Sequence, residues 1–237
     1  MKFYTLFVFL FLNTSAFCQR ETVRGNQQWI QYYNSIKISD KFGVYSDVGV
    51  RWKDTFNELS QTLLRTGVGY NFNKDVRVIS GFAFLTLRRD GDWDRFEYRP
   101  YQEVSVSKLL GKVKAQHRFR IEERFFRSGT EESGIRNSFN YRFRYRFYVF
   151  IPIGTLADKH PLFLNVGDEI LFNAGKDVAK NIFDSNRLLI GPAMQLNSGL
   201  SVSLTYNYTY ARKNQGDTES TAHIIWLGFK HKLNLVD

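Results

Sequence analysis

Long stretches of strict apolar–polar alternation constrain this chain more than any other feature. Along residues 138–151, Tyr141, Phe143, Tyr145, Phe147 and Val149 interleave with Asn140, Arg142, Arg144, Arg146 and Tyr148. Residues 200–210 repeat the device, with Leu200, Val202, Leu204, Tyr206, Tyr208 and Tyr210 set between Ser201, Ser203, Thr205, Asn207 and Thr209. Successive side chains of an extended strand point to opposite faces, so a period of two separates the sets. No stretch carries a convincing 3.6-residue apolar period, and the chain is expected to be all-β.

Alternating runs occupy residues 27–38, 42–52, 60–72, 76–86, 95–108, 112–126, 138–151, 161–173, 184–196, 200–210 and 221–235. They are mostly 11–15 residues long. A strand in a water-soluble domain usually has about 5–6 residues, whereas a tilted strand that crosses a bilayer needs about 9–11. Short turns near Asp40, Lys74, Gly111 and Ser198 alternate with longer polar connections at 53–59, 87–94, 127–137, 174–183 and 211–220. That asymmetry is the habit of membrane barrels. The connection at 152–160 is longer than the other turns on its side. These features predict an antiparallel transmembrane β-barrel of about twelve strands with up-and-down topology, in one domain over residues 19–237. Since single-chain bacterial barrels carry even strand numbers, a strand beyond the visible runs is expected near residues 20–26. A soluble β-sandwich is the alternative fold.

The opening residues read as a secretory signal over residues 1–18. Lys2 is followed by a run at 3–12 that is apolar except for Thr5, then by Asn13, Thr14, Ser15 and Ala16. The run is about ten residues, short of the roughly 20 that a spanning helix needs. Cleavage after Cys18 removes the sole cysteine, and with it any disulfide or thiol nucleophile. Phe17, bulky where a lipoprotein signal needs a small residue, argues against lipidation. No other segment is apolar over 18 consecutive residues, so a membrane protein with this sequence must be a closed barrel.

The formal net charge is +10. Such a balance often marks nucleic-acid binding, but here the basic and aromatic residues segregate by parity onto opposite strand faces instead of sharing a groove. Arg118, Arg120, Glu122 and Arg124 fall on one side of a strand, Arg142, Arg144 and Arg146 on one side of the next, and Glu97, Arg99 and Glu103 on one side of the preceding run. Arg51, Arg65, Glu169 and Arg187 stand singly on faces of the same sense. An Arg in lipid near the midplane costs about 2–4 kcal/mol, so all of these are expected to turn into the lumen, where the carboxylates pair with guanidinium groups. The cluster reads either as a salt-bridged plug or as an anion-attracting lumen.

At Glu97-Tyr98-Arg99-Pro100-Tyr101-Gln102, His117-Arg118-Phe119-Arg120-Ile121-Glu122-Glu123-Arg124 and Ser185-Asn186-Arg187, the chain resembles the bacterial outer-membrane-barrel family known as domain of unknown function 2490. The resemblance runs from Trp29 to about Leu235. It implies a β-barrel in the outer membrane, and it implies no activity and no catalytic residues.

The expected function is accordingly non-enzymatic: an envelope barrel, structural or passing small anionic solutes, with outer-membrane lipid as its surroundings and no nucleic-acid partner, cofactor or metal. The rival is a lipid-modifying barrel enzyme with a Ser–His pair at the lipid-facing rim. His117, His160, His223 and His231 sit in no nucleophile motif, and only His223, three residues after Ser220, offers even a sequence neighbour. His-x-x-x-His spacing and acidic calcium loops are absent. Trp29, Trp52, Trp93 and Trp226 are expected in interfacial aromatic girdles.

Overall fold

The computed structural model describes residues 22–89, 92–129, 134–157, 159–178, 182–212 and 218–236. The predicted signal at 1–18 lies outside the described residues. Among the described residues, eleven strands make up the fold: β1 (Thr22–Lys37), β2 (Phe42–Lys53), β3 (Glu58–Asn71), β4 (Val76–Arg89), β5 (Asp92–Leu110), β6 (Val113–Ser128), β7 (Arg136–Leu156), β8 (His160–Ala174), β9 (Phe183–Gln195), β10 (Leu200–Arg212) and β11 (Glu219–Asn234). Each is hydrogen-bonded to its sequence neighbour in antiparallel fashion, and β1 pairs with β11 to close the barrel. Closure leaves no strand edge unpaired.

The count of eleven is close to the expected figure of about twelve, and the difference lies at the additional strand expected near residues 20–26. Of the residues 20–26 expected as a separate strand, 22–26 are the start of β1 and run without a break into the rest of it, and 20–21 lie outside the described residues. An odd number leaves the first and last strands pointing the same way, so their seam must be parallel. The seam is complete, from Thr22 opposite Glu219 to Lys37 opposite Asn234. The double variant Ile30→Cys, Leu227→Cys, made with Cys18 replaced, tests it directly. These two residues are Cα partners across the seam, and neighbouring strands lie about 4.7–4.9 Å apart, within disulfide range. Mild oxidation is expected to cross-link the folded protein in one chain. A barrel closed by a twelfth strand between them would leave both thiols free.

The strands also reach further than the alternation suggested. The connection at 53–59 shrinks to a turn at 54–57, and β4 and β5 run to Arg89 and from Asp92 into the segment read as the 87–94 loop. The long connection at 152–160 is mostly strand too. Pairing of β7 with β8 continues through a register shift between Pro152 and Gly154, and a bulge tolerates a proline that has no N–H to donate.

Inside and outside differ sharply. Leu64, Val68, Phe119 and Leu188 are each more than half exposed on the outer wall. Within, the wall made by β3 and β4 is lean and apolar: Leu63, Ala83 and Leu85 form a buried cluster, and Gly67 and Gly81 face each other across the two strands. A Cβ on either glycine would meet the Tyr101 hydroxyl at 2.7 Å, so glycine makes room for that ring. This thin wall leaves space for long side chains projecting from β6 and β7 on the far side.

Candidate functional site

The interior chemistry begins with three adjacent strands. On β5, Glu97, Arg99 and Glu103 share a face with Tyr101; on β6, Arg118, Arg120, Glu122 and Arg124 do so; on β7, Arg142, Arg144 and Arg146 do so. All of these turn inward, with Glu97 1%, Glu122 2% and Glu169 4% exposed. The register alone is unfavourable. Arg118 lies directly opposite Arg146, and Arg120 opposite Arg144, and like charges in such positions repel. Carboxylates from flanking strands relieve this, since Glu103 is the cross-strand partner of Arg120 on one side and Glu169 of Arg146 on the other.

The side chains slant to make a connected network. Glu97 accepts hydrogen bonds of 2.5 Å from the Nε groups of both Arg99 and Arg124. Glu122 accepts from Arg144 at 2.8 Å and from Arg99 at 3.3 Å. Glu103 accepts from Arg120 and from the Ser105 hydroxyl, the latter at 3.2 Å. Glu169 accepts from Arg118, from Arg144 at 2.8 Å and from Arg187 of β9 at 3.4 Å. Arg65 of β3 donates to Asp47 of β2 at 2.7 Å. Charge-assisted, multidentate bonds of this kind are the strong ones.

Two predicted members stand apart from the carboxylates. Arg51 of β2 donates to the neutral Gln61 oxygen at 2.5 Å and lies 3.9 Å over the Trp29 ring, a cation–π contact. Arg146 lies 5.1 Å from the Tyr148 ring and has no carboxylate within ion-pair distance among the described residues.

Sequence reasoning missed several participants. Asp47 shares the inward parity of β2 with Arg51, and alternation could have found it. Asp184, which holds Arg142 at 2.7 Å and Asn173 at 2.8 Å, could not be found that way. Its even number assigns it to the outer face with Leu188. It is the extra residue where Leu171 pairs with Ser185 and Phe172 with Phe183, and a bulge re-aims a side chain. Trp29 and Trp226 correct the girdle assignment. Trp29 is 4% exposed, and its ring meets that of Trp226 at 5.1 Å inside the barrel.

Among the network side chains lies a partly open cavity of about 50 Å³ lined by Gln31, Arg51, Leu63, Arg65, Ala83, Leu85, Arg99, Arg118, Arg142, Arg144 and Arg187. A second, open cleft of about 360 Å³ lies at the rim of β5, β6 and β7, over Tyr98, Phe125, Arg127 and Phe139, with Lys176 and Asp177. The cleft lining contains no histidine. Ser220 and His223 are an odd number of residues apart on β11 and therefore face opposite ways. His223 meets the Tyr206 hydroxyl at 2.7 Å on the outer wall, and His117 and His231 pair similarly with Tyr145 and Tyr32. No group of three potential metal ligands occurs among the described residues. No helix among them is long and apolar enough to cross a membrane.

A closed eleven-stranded β-barrel with an apolar exterior and an ion-paired, arginine-rich interior is the class of protein that this geometry defines. The chain belongs to the family described as protein of unknown function (DUF2490), which it matches over residues 26–220. It is also similar to the uncharacterized protein MexAM1_META1p0181 of Methylorubrum extorquens, with 29% identity over 132 residues, covering 55% of this chain and 57% of that protein. No solved structure matches.

Proposed function

We propose that this protein is an outer-membrane β-barrel of the bacterial envelope, non-enzymatic, with a lumen closed by its own side chains. The observation that carries the reading is the layer of Glu97, Glu122 and Glu169 with their arginines, which spans β5 to β9 beside the apolar wall of β3 and β4, with a cavity of about 50 Å³ among these side chains. A water-filled conduit needs continuous space along the axis, and side chains fill small barrels.

The membrane setting is supported by the outer wall. In water, a belt carrying Leu64, Val68, Phe119 and Leu188 in the open would drive association. In a bilayer it is the stabilising surface. Aromatic groups mark both rims: Phe42, Tyr70 and Phe72 pack together at the short-turn end, and Phe125, Phe139 and Tyr141 at the other. Rings at the headgroup level are the expected girdles, and outer-membrane lipid is the proposed neighbour of this surface. Passage of small anions is the contrary outcome of the conductance test.

In planar bilayers the purified protein is expected to show no unitary conductance at moderate voltage. Reproducible anion-selective steps would mean that the lumen is open and that solute passage is its role. In cells the protein is expected to fractionate with the outer membrane, and the purified protein to migrate in detergent gels at a position that changes on heating. Recovery as a water-soluble monomer would remove the membrane reading altogether.

A further inference from the structure

We propose that the cavity among the arginines holds one small monovalent inorganic anion, of chloride size, as a fixed internal counter-ion. This rests on the closed-lumen reading above. Three independent features lead to it.

The first is the charge balance. Arg51, Arg65, Arg99, Arg118, Arg120, Arg124, Arg142, Arg144, Arg146 and Arg187 face the interior, against the carboxylates of Asp47, Glu97, Glu103, Glu122, Glu169 and Asp184. Guanidinium groups keep their charge in proteins, so the surplus is not removed by deprotonation. A buried charge without a partner is costly.

The second is the lining. Seven of those arginines border the cavity, the remaining lining is Gln31 and three aliphatic residues, and no carboxylate reaches it. The acids that pair with these arginines are not among the lining residues. Arg51 is the extreme case, bonded to a neutral amide and resting on an indole. Arg187 shares that indole at 5.8 Å.

The third is a set of donors with nothing to donate to. The Nε of Arg118 is buried and makes no hydrogen bond, with the closest ion-pair oxygen, that of Glu103, standing 3.7 Å away. The Arg118 side chain is only 10% exposed. The Nε of Arg187 is buried and unbonded as well. Buried donors are ordinarily satisfied, and an anion satisfies several at once. The volume sets the size of the ligand. About 50 Å³ holds a small inorganic anion, since roughly 10–15 Å³ of such space already admits one water, and it is far short of the roughly 300–1,000 Å³ of pockets that take drug-sized ligands.

The test uses the folded full-length barrel in detergent, exchanged into sodium gluconate, whose anion is too large for the cavity. Chloride replaces gluconate stepwise at constant ionic strength, and the temperature of the heat-induced gel shift is followed. The expected result is a saturable rise, about 5 °C or more at a hundredfold excess over half-saturation. Bromide should substitute for chloride. Arg51→Gln is expected to abolish the saturable rise and to leave the protein in gluconate as stable as the parent or more so, because it removes a surplus charge. Lys37→Gln at the exposed β1–β2 turn should leave the rise unchanged. Identical curves in chloride and gluconate, or an undiminished rise in Arg51→Gln, would each overturn the proposal. Should Arg51→Gln fail to fold, an anomalous-scattering map from bromide-grown crystals decides it: a peak within contact of Arg51 and Arg118 sustains the site, and an empty cavity sinks it. Failure here leaves the conductance result untouched, so an open lumen and an anion-free closed lumen give different pairs of outcomes.

Discussion

Replacing Glu169 by Gln is expected to lower unfolding free energy by about 3–5 kcal/mol, the usual cost of removing one partner from a buried ionic group. Gln keeps the shape of Glu and loses the charge, so packing changes little and electrostatics changes most. Glu169 alone receives Arg118, Arg144 and Arg187, drawn from three different strands. Without it, Arg144 retains Glu122, but Arg118 is left with the Glu103 oxygen at 3.7 Å and Arg187 has no other ion-pair partner among the described residues. The measurement is a urea titration of the folded, fast-migrating gel band. The comparison is Asp40→Asn, which removes the acid of the Lys37–Asp40 pair at an exposed turn. Exposed pairs contribute little, so this variant should titrate like the parent. If Glu169→Gln behaves like Asp40→Asn, the interior network is not what holds the barrel together. Loss of folding altogether would agree with the expected direction, and Glu169→Asp, which restores the charge on a shorter stem, should then recover part of the folded band.

The second large effect concerns which side of the membrane each end of the chain reaches. In the proposed membrane setting, eleven strands carry it across an odd number of times. Thr22 pairs with Glu219 at the end where β10 meets β11 through residues 213–218, while Asn234 pairs with Lys37 at the end with the short turns. Short turns conventionally face the periplasm. An epitope inserted between residues 21 and 22 is therefore expected to bind antibody on intact cells. The same epitope after Val236 should bind only once the outer membrane is permeabilised. The contrast is all-or-none, because an antibody does not cross the membrane. Two epitopes exposed on the same side would require an even strand number and would discard both the parallel seam and the placement of β1. The Ile30–Leu227 cross-link examines that seam by a chemically separate route, so agreement between the two would not be circular.

Much of the interior is legible in the sequence because burial in a barrel wall is a parity property. Arg142, Arg144 and Arg146 cannot face lipid without a heavy cost, and one such row fixes the sense of its strand. Hydrogen-bonded neighbours then inherit theirs. Where parity broke, so did the inference. Asp184 is turned inward by a bulge that no period-two pattern encodes. Trp29 was assigned to the membrane interface by residue type, yet its odd position puts it beside Gln31 and beneath Arg51. Loop lengths were overestimated at 53–59 and 87–94 because polar residues at a barrel rim can pair as strand while standing in solvent.

The sequence by itself determined that the chain is a set of long two-faced strands, which side chains share a face, and that one face must be kept from lipid. It did so because those properties depend only on the spacing of residues along an extended backbone. Tertiary structure alone decided the number of strands, the parallel seam, the carboxylate that each arginine reaches, and the small cationic space left among them. These depend on closure: the curvature of a complete ring sets how far Arg118 or Arg187 must extend to find Glu169, and no local pattern carries that distance.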